Sequence, residues 1–347
     1  MKSIRFLLMR GITNHKRWFL TLCVGFTASP GIVVQAWAQQ PESYEITQVA
    51  DGLYSAVYTS PRAISHRTVF LETDEGIILA DPISTEFATW LKSEIDERFG
   101  VPVRYVLYSH HHWDHASGGA VFGDTATYIA HEGMAAALAA PLPSNAISRD
   151  ADGNGLLHRS EATRGYAAKF DQGADTDGDD NLSGAEINVD IHPPELLYSD
   201  RMTVRLGGQS VELLHPGLAH SDDMTVLYFP EQRVGYGVDF VNIRLVPGAL
   251  YLYSFDQYAS AVGTLLSLDI DTVVPGHGNV GRREDLVEYM DFLQDLKTEV
   301  SAAIANGLTL QQAQQLVQLS EYSDWLHFDE RRENVVASAY AILSHDP

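Results

Sequence analysis

The chain has 347 residues, and its hydrophobic content of 45% is typical of a globular protein rather than a disordered one. It contains 23 basic and 46 acidic residues, a formal net charge of -23, so we expect no nucleic-acid partner, because such a surface repels phosphate. The single cysteine, Cys23, excludes a disulfide framework and a zinc site built from thiolates.

The first 38 residues have the order of an export signal. Five basic residues precede an apolar run over residues 18–34, and small residues at Ala36 and Ala38 follow it. This order predicts cleavage after Ala38, a periplasmic or secreted protein, and no stable membrane insertion once the signal is removed. The alternative is a retained membrane anchor, although Pro30 and Gly31 interrupt the run where a spanning helix would be continuous.

The residues after the signal alternate between strand-like and helix-like patterns. Short strands are predicted within residues 44–81, and residues 84–99 place their large apolar side chains on one face of a helix. Another strand is predicted over residues 103–108, followed by a polar cluster over residues 109–117. This alternation is typical of an α/β fold, in which functional side chains lie where strands end.

The second half of the chain repeats this alternation after an unusual acidic segment. A helical stripe begins at Arg283, a last helix covers about residues 330–343, and residues 281–347 are assigned to C-terminal helices of the same domain. Two similar halves indicate a duplicated α/β unit. The strands predicted in the second half are residues 202–206, 210–214, 224–229, 234–238 and 270–274.

Residues 110–115, with the sequence HHHWDH, place four potential metal ligands close together. On an extended backbone His110 and His112 point the same way and can bind one ion, while Asp114 and His115 can reach a second. Neutral imidazole and carboxylate suit a borderline divalent cation such as zinc. A catalytic zinc ion has three protein ligands, so others must come from distant residues at predicted strand ends beside small residues: His220, Asp239 and His277.

Four motifs in this order resemble the metallo-β-lactamase superfamily of metal hydrolases: HHHWDH, then GLAHSDD, GVDF and PGHG. The resemblance covers about residues 44–300. It implies an α/β fold, a four-layer αββα sandwich with a two-metal site between its central sheets. The predicted hydrolase domain spans residues 39–347 and is interrupted by an insert over residues 145–195.

The resemblance also implies a role for each matching residue. Asp239 would bridge the two metals, Asp114 is in addition the candidate catalytic residue, and Asp81 resembles the family's structural aspartate that supports the metal loop. Zinc is the expected metal, with iron and manganese left open, because the same ligands suit all three. The ligands implied are His110, His112 and His220 for the first metal, and Asp114, His115 and His277 for the second.

Four other histidines have no place in this ligand set. His111 has the wrong phase and is expected to point away from the metals. His215 lies five residues before the matching position, so it is interpreted as a structural histidine. His66 and His131 remain unassigned.

Two cations at such a site lower the pKa of a bridging water toward neutrality, and the resulting hydroxide can attack an acyl carbon. We therefore predict an exported hydrolase of small molecules that cleaves an ester, thioester, lactone or related acyl bond. Family members that are true β-lactamases generally lack the bridging aspartate, so Asp239 favours glyoxalase II-type and lactonase-type members. Two alternatives stay open: a true β-lactamase acting on β-lactam antibiotics, and a non-catalytic calcium-stabilised binding protein with the same fold. The oligomeric state is not predicted.

The insert contains two segments that fit the twelve-residue EF-hand calcium loop, residues 150–161 and 175–186. Asp180 replaces the turn glycine of the second loop, which weakens that site without removing it, because aspartate tolerates a positive φ. We expect calcium to order the insert, which would cover one rim of the cleft; the alternative is an acidic, solvated loop. The predicted calcium ligands are Asp150, Asp152, Asn154, Leu156 and Glu161 in the first loop, and Asp175, Asp177, Asp179, Asn181 and Glu186 in the second.

Overall fold

The computed structural model describes residues 43–59, 65–162, 165–250 and 254–345, so the predicted export signal over residues 1–38 lies outside the described residues. The strands in this part of the chain are short, and most belong to one of two sheets. In chain order they are β1 Ser43–Ala50, β2 Leu53–Thr59, β3 His66–Thr73, β4 Gly76–Leu79, β5 Val103–Leu107, β6 Thr127–His131, β7 Leu157–His158, β8 Asn181–Leu182, β9 Leu196–Tyr198, β10 Arg201–Leu206, β11 Gln209–Leu214, β12 Val226–Phe229, β13 Val234–Gly237, β14 Thr272–Pro275 and β15 Gly281–Arg282.

The helices separate or follow these strands, and α1 shows how the sequence starts one. The side chain of Ser84 accepts a hydrogen bond from the Phe87 backbone N–H at 3.2 Å, which satisfies a donor that the helix itself leaves unpaired. Among the described residues, no helix combines the length and the apolar character needed to cross a membrane. The helices are α1 Thr85–Arg98, α2 Trp113–Ala116, α3 Glu132–Leu138, α4 Ser144–Ile147, α5 Gly165–Asp171, α6 Gly184–Ile187, α7 Phe255–Leu266, α8 Arg283–Ala305, α9 Leu310–Leu316 and α10 Phe328–His345.

Two mixed sheets form the centre of the fold. The first has seven strands in the order β1-β2-β3-β4-β5-β6-β9, antiparallel from β1 to β4 and parallel from β4 to β9. The second has six strands in the order β10-β11-β12-β13-β14-β15, and within it only β13 and β14 run parallel. The carboxyl ends of β5, β13 and β14 lead directly into the segments that carry the predicted metal ligands.

The two sheets pack face to face, and helices cover both outer faces. Along β3 the side chains alternate: Leu71 enters the core shared with Leu227 of the second sheet, whereas Phe70 turns outward against α1. The outer face of the second sheet packs against α7, α8, α9 and α10 through a separate apolar core. Helix, sheet, sheet and helix form four layers, which confirms the predicted αββα sandwich.

The acidic insert has a small apolar core of its own. Strands β7 and β8 pair antiparallel, with Leu157 opposite Leu182, and both leucines are buried. Tyr166 and Phe170 of α5 pack against them, and Trp113 of the HHHWDH motif lies against this core from outside the insert. The insert therefore packs directly beside the segment that carries the first candidate ligands.

The predicted elements agree with the observed ones except near their ends. The helix predicted over residues 84–99 is α1, and the last helix begins at Phe328 instead of about residue 330. The strand predicted from residue 224 begins at Val226. The backbone N–H of Thr225 donates to the carbonyl of Ser109 at 2.7 Å, so this residue is tied to the polar cluster after β5 and does not join the sheet.

Candidate metal centre

The seven side chains predicted to bind metal come from four segments at strand ends. Residues 110–115 follow β5, His220 lies in the loop between β11 and β12, and Asp239 and His277 each lie two residues beyond β13 and β14. His220, Asp239 and His277 lie close in sequence to small residues, so the backbones can approach closely there. The structure brings all seven side chains together in two adjoining groups.

The first group consists of His110, His112, His220 and Asp239. One potential metal-ligand atom of each residue lies within 4.8 Å of those of the others. Nδ1 of His112 lies 2.9 Å from Nε2 of His220. Oδ2 of Asp239 lies 3.6 Å from Nε2 of His110 and 3.4 Å from Nε2 of His220. Three imidazole nitrogens and one carboxylate oxygen therefore face a common point.

The second group consists of Asp114, His115, His277 and again Asp239. Oδ1 of Asp239 lies 3.2 Å from Nε2 of His115 and 3.2 Å from Nε2 of His277. Oδ2 of Asp114 lies 3.9 Å from Nε2 of His277. Asp239 thus turns a different oxygen to each group, which is the arrangement that a carboxylate bridging two cations requires.

The donor atoms in these groups fit divalent cations. Among the described residues, Nε2 of His110 and Oδ1 of Asp239 are buried and have no hydrogen-bond partner. Buried polar atoms normally have one, so these two unpartnered atoms, which face the other ligands, point to a cation as their partner. Imidazole nitrogen and carboxylate oxygen, with no thiolate, are ligands for zinc and similar transition metals.

A family model described as the Metallo-beta-lactamase superfamily matches residues 65–277, a stretch that contains all seven side chains. The chain belongs to this superfamily. Membership indicates a hydrolase or a related enzyme, and the cluster of histidines and aspartates indicates a divalent metal, commonly zinc.

Among the curated proteins that are similar to this chain, two match only part of it. The 2,4-dinitroanisole O-demethylase subunit alpha of Nocardioides sp. (strain JS1661) is 28% identical over 229 residues, which are 63% of this chain and 54% of that protein. The metallo-beta-lactamase type 2 of Bacillus cereus is 27% identical over 96 residues, which are 26% of this chain and 37% of that protein. The chain therefore spans about half, or less, of the length of these relatives.

Solved structures of the superfamily have the same fold. A metallo-beta-lactamase from Pontibacter korlensis superposes with a TM-score of 0.52 at 19% identity, over 73% of this chain and 99% of that one. A metallo-beta-lactamase from Hirschia baltica superposes with a TM-score of 0.50 at 14% identity, over 72% of this chain and 97% of that one. At such identities the likeness is one of fold.

Asp81 lies behind the second group, where the superfamily resemblance placed a supporting carboxylate. Its Oδ1 accepts a hydrogen bond from the Ser109 backbone N–H at 2.8 Å, and its Oδ2 accepts from the Ser109 hydroxyl at 2.6 Å. Tyr236 donates to the same Oδ2 at 3.0 Å, and Nδ1 of His115 lies 3.3 Å away. A carboxylate in this position sets the orientation of the His115 ring and so directs its Nε2 toward the second group.

His66, which the sequence patterns left unassigned, lies beside the second group. Its Nε2 lies 3.5 Å from Oδ2 of Asp114, and its ring centroid lies 4.8 Å from that of His277. An isolated antiparallel backbone bridge pairs His66 with His277. In the sequence, His66 is distinguished only by its position at the start of a strand. Residue spacing does not predict the backbone pairing that brings His66 to the PGHG motif.

Three further histidines of the described residues, His111, His131 and His215, lie outside both groups. Nδ1 of His111 lies 2.9 Å from Oδ1 of Asp223, so this ring points away from the cation groups, as its phase predicted. His215 and His131 stack with their centroids 4.0 Å apart. Nδ1 of His131 also accepts a hydrogen bond from the Gly133 backbone N–H at 3.2 Å, which caps α3.

Burial and charge set the protonation of the two groups in opposite ways. Burial lowers the pKa of His110 and of His112 well below the ordinary value, and neighbouring imidazoles lower it further, so both rings are neutral near neutral pH. Burial alone would lower the pKa of His115, but the charge of Asp239 raises it well above the usual value. Burial would raise the pKa of Asp239, but its imidazole neighbours hold it well below its usual range. A cation bound by the second group would therefore take the place of a proton on His115.

Replacing Asp81 by asparagine should weaken metal binding in the second group. The amide keeps the size of the side chain but removes the negative charge that faces Nδ1 of His115. Groups that orient a ligand in this way typically contribute about 10- to 100-fold in metal affinity. Competition against a chromogenic chelator that resolves two binding steps should show a loss of this size in one step, and none for the control Asp74→Asn in an exposed turn. Unchanged affinity in both steps would exclude the supporting role.

Proposed function

We propose that this chain is an exported metal-dependent hydrolase that cleaves an ester, thioester, lactone or related acyl bond in a small molecule. The observation that carries the proposal is Asp239, whose two carboxylate oxygens lie against separate groups of histidines. Asp239 would contact both cations. The remaining ligands would be His110, His112 and His220 for one cation, and Asp114, His115 and His277 for the other.

Two divalent cations held there would supply Lewis acidity toward a substrate carbonyl and would lower the pKa of a water molecule. The protein's own contribution is placement. Asp239 has a φ of 63°, a left-handed conformation that costs on the order of 1–3 kcal/mol in a residue with a side chain. Gly276 leaves room for the side chains of Asp239 and His115. A Cβ at position 276 would lie 2.8 Å from Oδ1 of Asp239 and 2.9 Å from Cε1 of His115.

Asp114 is the candidate for proton transfer. Its side chain is 23% exposed, against 6% for Asp239, so it is the carboxylate that can meet substrate or solvent. Burial by itself raises the pKa of Asp114, but His66 and His115 hold it well below its usual range. The carboxylate is therefore ionised near neutral pH, where it can accept a proton.

Asp239 and one curated relative bear on the substrate class. Asp239 supports ester, thioester or lactone substrates over β-lactams, because true β-lactamases of this superfamily generally lack an aspartate there. The relative from Nocardioides is named a 2,4-dinitroanisole O-demethylase and matches 63% of this chain, which makes an activated aryl methyl ether the second candidate substrate. The complete set of seven ligands argues against a non-catalytic binding protein, in which such a set would have been lost.

Metal analysis and a substrate panel test this proposal. Elemental analysis of the mature protein should find about two equivalents of transition metal, and the panel comprises a thioester, a lactone, nitrocefin and 2,4-dinitroanisole. His112→Ala and His277→Ala should each lower turnover by about 1,000-fold, because Lewis-acid stabilisation of the transition state contributes several kcal/mol. His345→Ala, exposed at the end of α10, is the control.

Four results would contradict the proposal as stated. Protein without transition metal, or ligand variants with undiminished turnover, would remove the metal mechanism. Rapid turnover of nitrocefin alone would make the chain a true β-lactamase. Rapid turnover of 2,4-dinitroanisole alone would replace the acyl bond by an aryl ether as the target.

Export rests on the order of basic, apolar and small residues before Gln39. Protein recovered from the periplasm or the medium should have the intact mass of a chain that begins at Gln39. A mass that retains the first 38 residues, found in the membrane fraction, would instead favour the anchor.

We further propose that the insert binds calcium in its two acidic loops. In each loop the carboxylates at positions one, three and twelve lie within 4.8 Å of one another, and Leu157 and Leu182, at position eight of each loop, pair across β7 and β8. At position six, φ is 81° for Gly155 and 62° for Asp180, so the aspartate adopts the conformation that the turn needs. These are the features by which EF-hand loops are built.

Calcium should raise the melting temperature of the protein while zinc is held constant by a zinc buffer. At a free concentration of about 100 times Kd, binding to the folded state adds about 2.7 kcal/mol per site. Glu161→Gln combined with Glu186→Gln should abolish the shift, because both loops lose the bidentate carboxylate. Magnesium at the same concentration controls for ionic strength. If calcium leaves the melting temperature unchanged, the insert is a solvated acidic loop.

A further inference from the structure

The metal loop, residues 109–117, has a second face that does not join the cation groups. Nε2 of His111 lies 3.3 Å from Oγ of Ser144, the first residue of α4, which leads into the insert. Trp113 lies between two candidate ligands in the sequence and packs on the core of the insert. Ser117, at the end of the loop, accepts a hydrogen bond from Lys169 of α5. One face of the metal loop therefore carries the candidate ligands and the other rests on the insert.

Lys169 lies at the centre of this contact and is only 3% exposed. Its Nζ donates to Oδ1 of Asp190 at 2.6 Å and to Oγ of Ser117 at 3.1 Å. The same Nζ lies 5.4 Å from the ring centroid of Trp113, within the range of a cation–π contact. A buried ammonium group is costly unless it is paired, so Lys169 is fixed to these three partners.

Asp190 connects this point to the segment that leaves the insert. Its Oδ1 also accepts a hydrogen bond from the Ser117 hydroxyl at 3.0 Å, and its carbonyl accepts from the Gly118 backbone N–H at 2.9 Å. A further backbone bridge pairs Ser117 with Ile191. The end of the metal loop, the middle of the insert and its exit therefore meet around the Lys169 ammonium group.

The backbone of α5 also touches the metal loop without an intervening side chain. A Cβ at Gly165 would fall 2.1 Å from Cζ2 of Trp113, so the first turn of the helix lies directly on the indole. The ring of Tyr166 lies 6.2 Å from the Trp113 ring. Any displacement of α5 must move Trp113, whose neighbours in sequence are His112 and Asp114.

We propose that Lys169 is a positioning residue for the metal centre: by holding Trp113 and Ser117 it keeps His112 and Asp114 aligned for their cations. This inference rests on the proposed metal site. Helix α5 joins the two acidic loops of the insert. A structural change in those loops would therefore be transmitted to the metal loop through Lys169. Lys169 touches neither cation group itself and acts only through these neighbours.

The test uses the full mature chain with cobalt(II), whose visible absorption reports the geometry of its ligands. Lys169→Met keeps the apolar stem and removes the ammonium group, and Lys297→Met, at an exposed pair with Asp256, is the matched control. We expect Lys169→Met to lower cobalt affinity by about 10- to 100-fold and to change the absorption spectrum. Lys297→Met should change neither. A merely structural role would lower the melting temperature and leave the affinity and spectrum of the folded protein intact.

Ser117→Ala keeps the test decisive if Lys169→Met fails to fold, because it removes the two hydrogen bonds of the Ser117 hydroxyl, to Lys169 and to Asp190, and leaves the ammonium group paired with Asp190. A smaller loss of affinity with a spectral change in the same direction supports the proposal. Wild-type affinity and spectrum in the folded variants would overturn it while the metal site stands. Failure of the wild-type chain to bind cobalt would overturn the proposed function and this inference with it.

Discussion

The proposed centre depends on the position of one carboxylate, that of Asp239. Strands β13 and β14 are parallel and in register, with Gly237 opposite Pro275, and Asp239 and His277 each follow two residues later. The register therefore delivers both side chains to the same place. The left-handed backbone at Asp239 then turns its two oxygens toward different groups of imidazoles. A small displacement of this residue would disturb both groups at once.

The electrostatic balance around this carboxylate ties metal binding to folding. Asp81, Asp114 and Asp239 all lie near His115, and buried carboxylates destabilise a fold unless opposite charge is close. In the metal-free protein, histidines of the second group supply part of that positive charge, and they must bind protons to do so. Cations would supply it more completely, so bound metal should stabilise the folded state as well as serve the chemistry.

The sequence predicted those parts of the site that are encoded locally. Potential ligands at strand ends beside small residues can be recognised from a local pattern. The order of the motifs, shared with the superfamily, predicts which of these ligands come together. The left-handed conformation of Asp180 was likewise predictable, because it depends on residue type and loop position. His66 and Lys169 were not predictable, because their roles depend on packing between elements far apart in the chain. From sequence alone, Lys169 is one cation in an acidic segment, yet its side chain is buried in the structure.

The hydrogen bonds of Asp81 have a consequence for the order of events during folding. Asp81 accepts from Ser109, which follows β5 of the first sheet, and from Tyr236, which belongs to β13 of the second. Its bracing role is thus complete only after the two sheets have docked. A nascent chain that has emerged as far as the insert carries HHHWDH but lacks Asp239 and His277. Tight binding of two cations should accordingly be a late event in folding. Metal binding would then indicate that the two sheets have docked.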